Sequence, residues 1–179
     1  MNWKIFLCFS AIWFLGSNSQ EIFGQCAECD VVINGNNSPV GTFSNNSTVC
    51  ISGNRTTEIS FNNRTGIAIC IEDGASWNGS YSQLSGLREI NNFGTLTLSN
   101  DPNGSWTINN FNVLNFSGNL NSNKTINNYG ELAISGSTNI NSNSTINSNG
   151  SLFVNGAVNF NSNASVFLSG QSIITGSVI

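Results

Sequence analysis

Cysteines and a thin scatter of carboxylates are the residues in this chain that could do chemistry. Cys26 and Cys29 form a C-x-x-C pair, which is half of a zinc site if Cys50 and Cys70 supply the other two thiolates. The same four residues can instead form two disulfides, and the compartment decides between the two. Among the acids only Glu72 and Asp73 are close neighbours, and adjacent residues on a strand point to opposite faces. Glu72 with Arg55 or Arg88, beside Trp77, would make a small polar site; a solvated loop after a strand is the plainer reading. No catalytic residue is assigned. The chain has no histidine, so it builds no Ser-His-Asp triad, no Cys-His dyad and no His-ligated metal site. Neither a phosphate-binding glycine loop nor a calcium-loop pattern is present, and no metal or cofactor is expected.

Sugar recognition is the more credible chemistry. Outward asparagines offer both donors and acceptors, and Trp77 and Tyr81 could stack on sugar rings beside Glu72 and Arg88; Trp106 could do the same or belong to the core. Regular polar columns on a flat sheet also raise ice binding, which usually favours Thr where Asn dominates here. The many Asn-x-Ser/Thr sequons follow from composition.

Charge narrows the partners. Charged residues are 8% of the 179, against roughly a quarter in ordinary soluble domains. Five basic residues and a pI near 4.4 leave no footprint for nucleic acid or anionic lipid. The chain opens with Met1-Asn2-Trp3-Lys4, and Ile5 to Leu15 is apolar or small except for Ser10. Gly16-Ser17-Asn18-Ser19 then gives small residues before Gln20, the pattern of a signal peptide cleaved after residue 19. Such a run is too short for a bilayer, which takes about 20 residues. A secreted or cell-surface protein follows, with no membrane span after cleavage. Cys8 leaves with the leader, and the four remaining cysteines read as disulfides.

A repeat carries these residues. Units start at Ile90, Ile108, Ile126, Ile146 and Val166, in steps of 18, 18, 20 and 20 residues. Three of them open Ile-Asn-Asn-Phe or Ile-Asn-Asn-Tyr, and apolar residues then alternate: Leu96/Leu98, Leu114/Phe116, Leu132/Ile134, Leu152/Val154. Period two marks half-buried strands, and a period near 20 marks a solenoid. The fold class expected is all-β: a right-handed parallel β-helix, the hand taken from the general crossover rule. Its coils, about six or seven, hold 18–20 residues. Leu120, Ile140 and Phe160 are expected to stack inside, with asparagine columns 119/139/159, 121/141/161 and 123/143/163 outside.

Residues 46–179 form the helix and residues 20–45 a cap over its first coil, with Val31-Val32-Ile33 a candidate strand. Thr48-Val49-Cys50-Ile51 matches Ala68-Ile69-Cys70-Ile71 at a shift of 20. Stacking them puts two Cα atoms about 4.8 Å apart, inside the disulfide window, so Cys50–Cys70 and Cys26–Cys29 are the expected bonds. The last residues, Ser172 to Ile179, are apolar and in mid-coil. They read either as a cut through a longer protein or as an end met by a partner or by another copy of the chain.

The run from Val49-Cys50-Ile51-Ser52-Gly53 through Cys70-Ile71-Glu72-Asp73-Gly74-Ala75-Ser76-Trp77-Asn78-Gly79 and into the Ile-Asn-Asn-Phe/Tyr-Gly units resembles the N-terminal region of large exported Bacteroidetes surface proteins. The likeness covers most of the mature chain and implies an adhesin-like protein with Asn/Gly-rich β-helical coils and no catalytic residues. The C-terminal sorting domain of such proteins is not in this sequence. Polymer-forming bactofilin-type β-helices share the short apolar repeat but are cytoplasmic. The function expected is a structural or adhesive module, non-catalytic, with extracellular glycans or other surface proteins as partners; the alternative is a glycan-binding or polysaccharide-processing β-helix.

Overall fold

The computed structural model describes residues 26–36, 42–61, 63–79, 86–99 and 105–179. The segment 1–19 read as a signal peptide, Tyr81 and Asp101 lie outside them. In chain order the strands are β1 (Val31–Ile33), β2 (Thr48–Ile51), β3 (Asn54–Arg55), β4 (Ile67–Ile71), β5 (Ser76–Gly79) and β6 (Leu87–Asn92). Next come β7 (Thr95–Leu98), β8 (Thr107–Asn110), β9 (Val113–Phe116), β10 (Leu120–Ser122), β11 (Thr125–Asn128) and β12 (Glu131–Ile134). The last are β13 (Thr138–Ile140), β14 (Thr145–Ser148), β15 (Ser151–Val154), β16 (Val158–Phe160), β17 (Ser165–Leu168) and β18 (Ser172–Ile174).

Every strand pairs in parallel with its equivalent on the next coil, so the chain is a parallel β-solenoid. A long sheet of eight strands runs β1-β2-β4-β6-β8-β11-β14-β17, a second of seven runs β3-β5-β7-β9-β12-β15-β18, and a third holds β10-β13-β16. Strand alternation turns one face of each sheet inward. In the long sheet Val49, Ile69, Ile90, Ile108, Ile126 and Ile146 form one inward column, in register from coil to coil. Leu96, Leu114, Leu132 and Leu152 form the facing column of the second sheet, and all ten are buried. β1 already pairs in register with β2, Val31 opposite Val49, within the segment read as a cap.

Two expectations are corrected. Leu120 lies beside Thr138, not Ile140, because β10 and β13 are 18 residues apart. The coil lengthens in the following turn, where Asn143 adopts a positive φ of 66° and Asn163 repeats it at 62°. Asparagine tolerates that left-handed corner. The third-sheet asparagine column is therefore Asn121–Asn139–Asn159. Second, Phe160 is 40% exposed rather than internal. A further asparagine column, distinct from those expected outside, points inward. Asn92, Asn110 and Asn128 are fully buried on the long sheet, followed by Ser148. Their amides donate along the column from Asn92 to Asn110, Asn110 to Asn128 (both 2.7 Å) and Asn128 to Ser148 Oγ (2.9 Å).

Glycines hold the corner after the long sheet. A Cβ at Gly150 would run into the carbonyl oxygen of Gly130, and one at Gly170 into that of Gly150. Gly150→Ala is expected to cost about 1–3 kcal/mol, the range of overpacking in a close-packed site. Urea unfolding checks it, with Gly118→Ala, whose Cβ meets only Ser99 O at 3.1 Å, as the milder comparison.

Candidate functional site

The structure joins the four cysteines among the described residues, but Cys26 to Cys70 and Cys29 to Cys50, each with 5.7 Å between Cα atoms. The expected Cys50–Cys70 bond is overturned although the register behind it holds: the two residues are partners on β2 and β4. In-register parallel neighbours send their Cβ atoms out side by side, about a strand spacing apart, whereas a disulfide wants them about 3.5–4.5 Å apart. Cys50 and Cys70 therefore both face outward, and the segment at 26–29 crosses above them to take one bond from each. Cys26 Sγ, Cys50 Sγ and a Glu72 oxygen lie within 4.8 Å of one another. Both sulfurs are spent in disulfides, so this cluster offers a metal no thiolate.

Of the residues expected to contact a glycan, Trp77 is a correction. It sits in the inward leucine column, opposite Leu96, and is 1% exposed, so its ring is core and out of reach of a sugar. Trp106 is likewise buried, with the buried Lys124 ammonium 5.3 Å from its ring centroid. Arg88 is the extra residue of a β-bulge, since Ile67 pairs Leu87 and Ala68 pairs Glu89. A bulge re-aims its side chain. Arg88 is exposed and bonds Glu89 Oε1 at 3.1 Å rather than Glu72. Asp73 is exposed and Glu72 partly so. Arg55 is buried on the first coil, where its guanidinium donates to the carbonyls of Gly35 (3.0 Å) and Glu58 (3.1 Å). Burial pulls its pKa below the ordinary arginine value.

What the fold does assemble is the outer face of the long sheet. Three columns run along it, side by side. Thr107, Thr125 and Thr145 make the first, and Asn91, Asn109, Asn127 and Asn147 the second. The asparagines are half-buried and hydrogen-bonded in sequence: Asn109 to Asn91 and Asn127 to Asn109 at 2.8 Å, Asn147 to Asn127 at 2.9 Å. Beside them Phe93, Phe111 and Tyr129 stack nearly parallel, with centroids 4.7 and 5.2 Å apart. A groove of about 390 Å³ heads the face, lined by Cys26, Ala27, Cys70, Glu89, Asn91 and Phe93 among others. No family model, no curated protein and no solved structure matches the chain.

The chemistry this face can do is recognition. Its groups are amides, hydroxyls and aromatic edges, with charge only at the head. At the opposite end the last coil surrounds an apolar cavity of about 290 Å³, and Phe167 and Leu168 are 63% and 45% exposed. Among the described residues no helix is long and apolar enough to cross a membrane. The sequence signal for the aromatic column is the regular recurrence of Phe or Tyr beside an amide in the Ile-Asn-Asn-Phe/Tyr units.

Proposed function

We propose that the protein is an exported, non-catalytic β-solenoid module with a structural or adhesive role at the cell surface. The observation that carries this is side-chain bonding from coil to coil on top of the backbone ladders: inside along Asn92–Asn110–Asn128, outside along Asn91–Asn109–Asn127–Asn147, and on the third sheet along Asn121–Asn139–Asn159. A stack tied this way resists bending and twisting between coils, which suits a spacer or a display rod. Eight strands at about 4.8 Å give the long sheet a span of roughly 34 Å. Two disulfides fit an oxidising compartment, in line with the leader at 1–19, and the resemblance to exported surface proteins points the same way.

The test is export of the full chain from a Gram-negative host. The expected product begins at Gln20 and gives a non-reducing peptide map joining Cys26 to Cys70 and Cys29 to Cys50. A chain held in the cytoplasm, its leader uncleaved and its thiols free, would sink the reading. Incubation with polysaccharides, followed by sizing, separates the module from a polysaccharide-processing protein, which would shorten them.

A further inference from the structure

We propose that the outer face of the long sheet, from Asn91 to Asn147, binds a neutral, hydroxyl-rich linear glycan lying along the solenoid axis. The inference rests on the adhesive reading above and names its ligand class.

The first argument is hydrogen-bonding capacity. An asparagine amide has two N–H donors and two acceptor lone pairs. Asn109 uses one donor on Asn91 Oδ1 and one acceptor for Asn127 Nδ2, and Asn127 does the same between Asn109 and Asn147. Each rung keeps one N–H and one lone pair, held in place by the ladder itself. These pairs recur about every 4.8 Å on half-buried side chains whose remaining face is solvent. A sugar hydroxyl is at once donor and acceptor, so one rung can serve both its functions. The rotamers are already fixed by the ladder, so little side-chain entropy is lost on binding.

The second argument is shape. The Phe93–Phe111–Tyr129 stack forms an apolar wall along one side of the amide column. Phe111 has both ring faces covered by its neighbours, so it presents only edges. Tyr129 ends the stack, since the equivalent place on the next coil is Asn149, and at 52% exposed it borders the strip with a solvent-facing ring edge and hydroxyl. The Thr107–Thr125–Thr145 column borders the other side. At the head, the Cys26–Cys70 disulfide and Ala27 close the groove, which gives the strip an end-stop as well as a direction.

The third argument is charge. Beyond the head rung the three columns hold no ionisable group other than the Tyr129 phenol; at the head the threonine column begins with Glu89, in register with Thr107, and Glu89 is paired with Arg88. A polyanion finds no cationic track here, and an extended peptide would seek a strand edge rather than a face. A neutral polyol is what the surface complements.

The experiment is a depletion isotherm of the exported chain on suspended β-1,4-glucan, β-1,3-glucan and α-mannan, with a soluble polyuronate as the charged comparison. Saturable binding to at least one neutral polymer is expected, unaffected by moderate salt. Asn109→Val with Asn127→Val should weaken it by about tenfold or more, the loss of a few net hydrogen bonds. Thr125→Val and Tyr129→Ala leave the amide ladder whole, so their losses of a few-fold each keep the test meaningful if the double variant folds poorly. Retention on none of the neutral polymers would overturn the proposal. So would a preference for the polyuronate, or unchanged binding in the Thr125 and Tyr129 variants. A correctly cleaved, disulfide-bonded chain that binds none of these sinks this inference alone, whereas cytoplasmic retention sinks the reading beneath it.

Discussion

Asn110→Ala is expected to lower stability by about 2–4 kcal/mol, an unusually large cost for a polar residue, because the site is buried and its partners cannot turn to water. Asn110 sits fully buried in the middle of the inner ladder. Its amide donates to Asn128 Oδ1 at 2.7 Å and to the Glu131 carbonyl at 2.9 Å, and its own oxygen accepts from Asn92. Truncation leaves Asn128 Oδ1 without its ladder donor and opens a void beside it. Asn110→Asp tests the mechanism further. It removes both donors and sets a carboxylate against Asn128 Oδ1, so at neutral pH it should cost more than alanine does. Burial and the facing oxygen raise the folded-state pKa of that carboxyl above its unfolded value of about 4. Between the two values the folded chain binds more protons than the unfolded one, so stability is greatest below the unfolded pKa and falls as pH rises through the folded pKa. Urea melts of the aspartate variant at pH 4 and 7.5 check the sign. A pH-independent deficit would mean that the carboxyl escapes to solvent and the ladder is not closed.

That inner column shows what a reading of residues could reach. Alternation places Ile108 inward, Asn109 outward and Asn110 inward, so the second asparagine of Ile-Asn-Asn-Phe had to share a face with the isoleucine. Burying an amide looks costly in isolation, and only the coil above and below makes it cheap, by supplying a partner at every rung. The same non-local logic explains the rest. The isoleucine and leucine columns and the 50/70 register follow from spacing alone. The disulfides do not, because Cα separation says nothing about where Cβ atoms point, and the crossing of 26–29 over β2 and β4 is invisible in one dimension. Trp77 looked available because the turns around it break the period. Asn54 pairs with Ser76 at a step of 22 and Ser76 with Thr95 at 19, so its place in the leucine column cannot be counted off. Phe93, Phe111 and Tyr129 stood in the repeat as quoted, but their stacking is a property of the third dimension.

Reducing the disulfides is expected to melt one end of the solenoid and leave the other intact. The two bonds are nested, with sequence separations of 44 and 21 residues. In the chain-entropy account closing loops of that size is worth about 4 and about 3 kcal/mol taken singly, and less than their sum together because the loops overlap. Without them the crossing segment is held to the outer face chiefly by β1, three residues pairing only with β2 at the edge of the long sheet. Cys50 and Cys70, now buried, would be uncovered. A solenoid coil contacts only its neighbours, so the loss cannot be shared along the stack as it would be in a globular core. Hydrogen exchange with and without reductant should therefore show protection falling across β1, β2 and β4, fading by β8, and unchanged in β12 and β14. A uniform loss would mean that the stack unfolds as one unit and that the ladders do not insulate the coils. If the loss is local, the groove bounded by Cys26 and Cys70 opens while the amide and aromatic columns beyond it survive. Glycan retention measured in reductant would then separate what the end-stop contributes from what the strip contributes.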